Sequence, residues 1–235
     1  MTHLIISRVN LHMDLDPYKY NNPQPYKEKG YTESRVKLLN EWARKSLRKQ
    51  SLQNFFFISL WQGEVIEGGE LSNEIKIIIH RTGKKDDLPL DYEALTKRKE
   101  GKLTLNYADQ IAEKIKGIFS GPVLITNLDC DDALHENFVE KLQGYVRERD
   151  FKKEEPFYFS TSTRYCYNIK SGAKGHKKTA NPSPFVSTWE PEIKCYPLRY
   201  NHQYLGDWVK GVNVEGLYGL QTVNNTNMFS RGTGQ

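Results

Sequence analysis

The 235-residue chain has no run of about 18 apolar residues, so no helix is expected to cross a membrane. Nor does it open on a basic and then apolar leader, because strand-like residues begin almost at once. The expectation from both absences is a soluble, cytoplasmic protein. Only Cys130, Cys166 and Cys195 carry thiols. An odd number of scattered cysteines argues against a disulfide framework or a zinc site and for free thiols in a reducing compartment. Repeats and low-complexity tracts are absent. Charge of one sign is also scarce: 34 Lys and Arg stand against 29 Asp and Glu, a net charge of +5. That is too little for a duplex-binding protein, so no nucleic-acid partner is expected. The mild basic clusters at 44–49 and 170–178 suit anionic ligands instead.

A hydrophobic content of 37% in a chain of this length fits one domain with a sizeable core. The apolar runs at 4–10, 55–61, 75–80 and 123–128 read as strands. Residues 14–32, rich in Asp, Pro, Tyr and Asn, read as a loop. Helices are expected over 32–50 (Val36, Leu39, Trp42, Ala43 and Leu47 on one face, Lys and Arg opposite), 107–119 (Ile111, Ile115 and Ile118 inward) and 133–149 (Leu134, Phe138, Leu142 and Tyr145 inward). Strands alternating with helices imply an α/β fold with a mostly parallel sheet covered on both faces. From about residue 156 the texture changes. Segments 157–165 and 166–168 look like antiparallel strands, and 170–184 reads as a mobile basic loop. The expected division is a nucleotide-binding half over 1–155 and a second, smaller antiparallel region over 156–235, within one continuous domain.

The densest chemistry lies in Asp129-Cys130-Asp131-Asp132, where the strand at 123–128 stops. In an open α/β sheet, ligands bind outside the carboxyl ends of the strands. Carboxylates there hold a hard divalent cation, which often bridges to phosphate, or perform acid/base work. Like charges this close repel unless a cation or hydrogen bonds compensate. Asp132 is also placed to cap a helix starting at Ala133. Cys130 reads as a small filler.

Several blocks together resemble the rhamnosyltransferase family, nucleotide-sugar glycosyltransferases with the GT-A fold. Ile6-Ser7-Arg8-Val9-Asn10 is similar to the family's first strand, of TRFN type. Ser34-Arg35-Val36-Lys37-Leu38-Leu39 and Ser46-Leu47-Arg48-Lys49-Gln50-Ser51 resemble its R-x-x-L-F and P-S-L/V-x-x-Q-T. The stretch from Ile125 through Asp129, Asp131 and Asp132 to Leu134 looks like its T-R-L-D-x-D-D-A-L core, with Asn127 in place of Arg. Pro184-Phe185-Val186-Ser187-Thr188-Trp189-Glu190 is similar to its P-F-x-S-x-x-E. The block from Gly219 to Asn227 resembles its W-L-Q-x-x-H-x-x-N, with Gly219 in place of Trp and Asn224 in place of His.

The resemblance implies a GT-A-like fold, with a metal-assisted, inverting transfer. A sugar, L-rhamnose by the family name, would move from a UDP-, dTDP- or GDP-linked donor to a hydroxyl of a glycan acceptor. It implies Mn²⁺ or Mg²⁺ at Asp129 and Asp131, with Asn224 or His202 as the further ligand. Ser7, Arg8, Asn10, Arg35, Asp129 and Asp131 would line the nucleotide-sugar site, the arginines through fork-shaped donors. Glu190 is the expected general base and Asp207 the next carboxylate for that role. Tyr158, Tyr165, Tyr167, Trp189, Tyr204 and Trp208 are candidates for stacking on sugars or for the core. Two alternatives stay open: another nucleotide-dependent transferase, such as a nucleotidyltransferase, or a non-catalytic carbohydrate-binding module. The first usually has a Gly-rich basic loop after its first strand, and 11–20 contains no glycine. The second has no need of three clustered carboxylates.

Overall fold

Four parallel strands set the frame in the computed structural model, which describes residues 1–11, 27–80, 108–149, 151–178, 182–199 and 202–223. They are β1 (Thr2–Arg8), β2 (Phe56–Trp61), β3 (Glu74–Ile78) and β4 (Val123–Asn127), in the order β3-β2-β1-β4. Their apolar runs are near-continuous because both faces are covered, as parallel sheets require. Alternate residues of β1 feed two cores. Ile5 packs with Val36, Leu39, Leu47, Phe138 and Leu142 on one face. Leu4 and Ile6 pack with Ala108, Ile111, Ile115 and Leu198 on the other.

The helices behind these cores are α1 (Tyr31–Leu39), α2 (Lys45–Arg48), α3 (Ala108–Lys116), α4 (Phe138–Glu148) and α5 (Tyr196–Arg199). Past β4 the sheet becomes mixed. It continues through β8 (Val186–Glu190), β6 (Phe157–Asn168), β9 (Lys210–Val223) and β5 (Ala133–Leu134). β8 runs antiparallel to both β4 and β6, and β7 (Lys174–Lys178) forms a hairpin with β6. The architecture is the expected α/β one, with a parallel half flanked by helices and a second region where antiparallel pairings enter. Among the described residues, no helix is long and apolar enough to cross a membrane.

Several expectations are corrected. The helix over 32–50 forms, but a π-helical turn (Asn40–Arg44) interrupts it. Arg44, expected on the solvent face, is fully buried. Its guanidinium forks onto Glu74, with Nε 2.9 Å from Oε2 and Nη2 2.6 Å from Oε1. Ile118 does not face inward: α3 ends at Lys116, and Ile118 is 50% exposed.

No helix starts at Ala133 either. Ala133 and Leu134 pair with Leu220 and Gly219 of β9, and the helix begins at Phe138. The two strands expected over 157–168 are one continuous strand, paired in parallel with β9 along its length. This parallel pair is not visible in local sequence because its partners lie some fifty residues apart. The loop expected over 170–184 contains β7, whose Lys177 pairs with Arg164. Residues 179–181 of that loop lie outside the described residues.

Candidate functional site

β1 and β4 are neighbours, and from this pair the sheet is built outward in opposite directions: β2 and β3 on one side, β8 and β6 on the other. Such a switch point leaves a crevice outside the carboxyl ends of the two strands. Arg8 ends β1. Asp129 follows β4 after Leu128, whose amide extends the pairing by donating to Ile6 O at 3.0 Å. The register therefore brings Arg8 and Asp129 together as an ion pair across the crevice.

The chain then turns, with the Asp132 amide 3.0 Å from Asp129 O. The Asp131 carboxylate points to Arg35 of α1, whose Nη2 lies 3.5 Å from Oδ1. Arg35 is held in place by its Nε, which donates to Val9 O at 3.3 Å. Two guanidiniums thus supply the positive charge that clustered carboxylates need.

Burial alone would raise the Asp129 pKa, but Arg8, Arg35 and His202 together hold it below the usual carboxylate value. Asp132 behaves oppositely. Its burial and the charges of Asp131 and Asp129 push it well above the ordinary range. Instead of capping a helix, Asp132 Oδ1 accepts the Thr222 amide at 2.8 Å, while Thr222 Oγ1 donates to Asp131 O at 2.5 Å. The end of β9 is thereby fastened to the carboxylate loop. The Cys130 thiol is buried and pushed up to about 12, so it stays protonated, as a filler should.

His202 opens a 3₁₀ turn (His202–Asp207) and stands within the field of Asp129. Burial pushes its imidazole down to about 4; Asp129 opposes this, while Arg164 and Arg8 add to it. His202 is therefore neutral at pH 7. Asp207, at the far end of the same turn, is exposed. Asn224 lies outside the described residues. Among the described residues, no three His, Cys, Asp or Glu side chains form a metal-holding group.

Three candidates from the sequence fall outside the crevice. Ser7 is fully buried on β1, so it has no face for a nucleotide. Asn10 is a brace: its Nδ2 donates to Gln62 O at 3.2 Å and its Oδ1 accepts the Gln62 amide at 2.9 Å. Glu190 pairs with Val123, the first residue of β4, and so lies at the opposite end of the sheet from Asp129. Its side chain is wholly buried. Oε1 accepts from the Thr188 hydroxyl at 2.6 Å and the Tyr196 amide at 2.8 Å. Oε2 accepts the Lys194 and Cys195 amides at 2.7 and 2.8 Å. A carboxylate with every oxygen engaged, away from the crevice, cannot take a proton from an acceptor bound there. Local sequence concealed this because β8 runs antiparallel, which sends the end of the P-F-x-S-x-x-E block away from the site.

The start of that block does reach the crevice, since Asn127 Nδ2 donates to Pro184 O at 3.1 Å. Among the aromatic candidates, Trp189 is core, with Nε1 donating to Lys153 O at 2.8 Å. Tyr158 packs so closely on Gly211 that a Cβ there would meet its ring at 2.2 Å. Tyr165 and Trp208 are each 46% exposed. Sequence reasoning missed Thr222, which carried no signal beyond its place in the final block.

No protein-family model matches the chain, and no curated protein matches it. Among solved structures, it is similar to S. aureus TarS. The crystal structure of TarS 1–349 in complex with UDP-GlcNAc has 9% identity and a TM-score of 0.38, covering 97% of this chain and 60% of that one. The same fragment in complex with UDP has 10% identity and a TM-score of 0.36, covering 95% and 61%. The chain spans about 60% of the length of these fragments.

Proposed function

We propose that the chain is a nucleotide-sugar glycosyltransferase. The observation that carries this reading is the pairing of Arg8 with Asp129 and Arg35 with Asp131 at the β1/β4 switch point. Guanidinium forks match phosphate oxygens, and carboxylates match a hard cation. A nucleoside diphosphate with its divalent ion presents both partners, so each pair can exchange its internal contact for one with the substrate. A carbohydrate-binding module has no use for such a set. The rival nucleotide-dependent transferase shares the nucleotide site and differs in what is transferred.

The proposal includes Mn²⁺ or Mg²⁺ at Asp129 and Asp131. Two carboxylates fit such an ion, since Mg²⁺ is commonly held by one or two carboxylates together with substrate phosphates and water. Neutral His202 is the further ligand the proposal offers. When bound, the ion would neutralise charge developing on the diphosphate leaving group.

The chain's own residues do the rest. Arg8 and Arg35 orient the diphosphate and stabilise its charge as the bond to the sugar breaks. An acceptor hydroxyl attacks the anomeric carbon from the side bordered by the 3₁₀ turn. Asp207, the exposed carboxylate of that turn, is the proposed base in place of Glu190. An inverting course, L-rhamnose as the sugar and a glycan as the acceptor rest on the sequence resemblance.

Calorimetry with UDP, dTDP and GDP, each with Mn²⁺ or with chelator, tests the reading. One nucleotide should bind preferentially, and binding should weaken on chelation and in Asp131→Asn with the fold intact. Equal binding of all three, with and without chelator, removes the metal from the proposal. No binding of any nucleotide removes the proposal itself. Asp207→Asn should then lower transfer about 100-fold or more while nucleotide affinity stays the same.

A further inference from the structure

Arg164 is the one buried-donor arginine of the crevice without an acidic partner among the described residues. Arg8 and Arg35 face carboxylates, Arg44 forks onto Glu74, and Arg199 pairs with Asp109. The Nε of Arg164 is buried and meets no hydrogen-bond acceptor. Buried donors in folded proteins are nearly always satisfied, so an orphan calls for an explanation. The surroundings supply one. Arg164 pairs with Gly219 on β9, and Gly219 pairs on its other side with Leu134, two residues past Asp132. β6 runs in the same direction as β4 and pairs with β8 only as far as Ser160 opposite Val186, while Thr126 of β4 lies opposite Ser187, so Arg164 stands four residues past the level at which β4 ends, on the side of its carboxyl edge.

We infer that Arg164 is a third guanidinium of the crevice and that its unengaged donors hold the diphosphate of the substrate. The inference rests on the nucleotide-sugar reading for the source of that diphosphate, but not for the anion site itself. The unsatisfied Nε is then a donor reserved for a phosphate oxygen. A planar fork on the extension of β6, lacking a carboxylate of its own among the described residues, is pre-organised for an anion with several oxygens. It also completes the charge balance. Two arginines are matched by Asp129 and Asp131, and the third is left for the ligand.

The test is calorimetry on the full chain in Mg²⁺ with inorganic pyrophosphate, orthophosphate, UDP and uridine. The proteins are wild type, Arg164→Gln, Arg164→Lys and, as a charge control on the neighbouring strand, Lys177→Gln. Arg164→Gln should weaken pyrophosphate and UDP by roughly 10- to 100-fold, the usual range for a lost hydrogen bond to a charged group. Arg164→Lys should recover part of this, and Lys177→Gln should match wild type. The Tm of Arg164→Gln should stay level or rise, because an unsatisfied buried donor has been removed. Unchanged pyrophosphate affinity in Arg164→Gln overturns the inference, even if UDP still binds and the glycosyltransferase reading stands. Arg164-dependent binding of pyrophosphate without any nucleotide preference supports the anion site while removing the nucleotide-sugar reading. Orthophosphate binding as tight as pyrophosphate overturns the diphosphate assignment and points to a single phosphate, such as one carried by an acceptor.

Discussion

Oε2 of Glu190 accepts the amide of Cys195 at 2.8 Å, and Cys195 is the one described non-glycine residue with a left-handed backbone, at φ 55°. Left-handed geometry is unfavourable for a side chain with a Cβ and persists where the surroundings impose it. Here the imposing group is a buried carboxylate that gathers three consecutive amides, of Lys194, Cys195 and Tyr196. It turns the chain from β8 into α5. A residue that looks catalytic in sequence therefore holds a corner of the fold.

Glu190→Gln should lower stability by about 3 kcal/mol, because the new NH₂ faces two amide donors where an acceptor stood. Urea denaturation gives the loss directly. Nucleotide affinity should be unaffected at temperatures where the variant is folded. A variant that is as stable as wild type but about 100-fold slower would return Glu190 to the chemistry.

The buried pair Arg44 and Glu74 should show strong coupling. Glu74 Oε1 also accepts the Ser59 hydroxyl at 2.7 Å, so the carboxylate ties α1/α2 to β2 and β3. Glu74→Gln leaves a buried guanidinium half-paired and should cost about 3–5 kcal/mol. Replacing both, as Arg44→Met with Glu74→Leu, should cost less than the sum of the single changes. Additive losses in a double-mutant cycle would contradict this.

Gly219 should not tolerate even one methyl group. A Cβ there would lie 2.4 Å from Cγ of Phe185. Gly219→Ala should destabilise by about 1–3 kcal/mol, the usual range for overpacking. Adding Phe185→Leu should recover part of the loss. A Gly219→Ala protein of unchanged Tm would mean that Phe185 moves freely.

Acid should destabilise the fold through buried histidines. Burial holds His3 at about 3, down from 6.5, and its Nε2 lies 2.8 Å from Thr126 Oγ1. The folded chain keeps His3 neutral where the unfolded chain binds a proton. Between pH 6.5 and 3 the unfolded state therefore holds more protons, and stability falls as pH falls through that window. His202, depressed to about 4, acts in the same direction. Tm measured from pH 7 to 4.5 should drop, and His3→Gln should start lower but show a shallower slope. Parallel curves would mean that His3 titrates normally in the fold.

The parallel half was legible because its strands are long apolar runs, which only double-sided burial explains. The carboxylate cluster was legible for a related reason. Three acidic residues at a strand end require counter-charge, whatever the rest of the chain does. What the local pattern could not reveal was which group supplies that charge. Arg8 was a fair candidate, because a strand-end arginine in a parallel sheet faces the same edge as the cluster. The strand order beyond β4 was not legible, because nothing local shows that β6 lies beside β9 with Gly219 between it and β5.

Sequence by itself determined the fold class, the order of the first four strands' elements and the position of Asp129 and Asp131 at the carboxyl edge. These follow from hydrophobic periodicity and chain order, which act over a few residues. Tertiary structure alone decided that Glu190 braces a corner, that Asp132 fastens β9 instead of capping a helix, and that Arg35 is the partner of Asp131. Those outcomes depend on strand direction and register between segments far apart in the chain. An antiparallel β8 sends its carboxylate to the end of the sheet opposite Asp129, while a parallel β6–β9 pair joins segments some fifty residues apart.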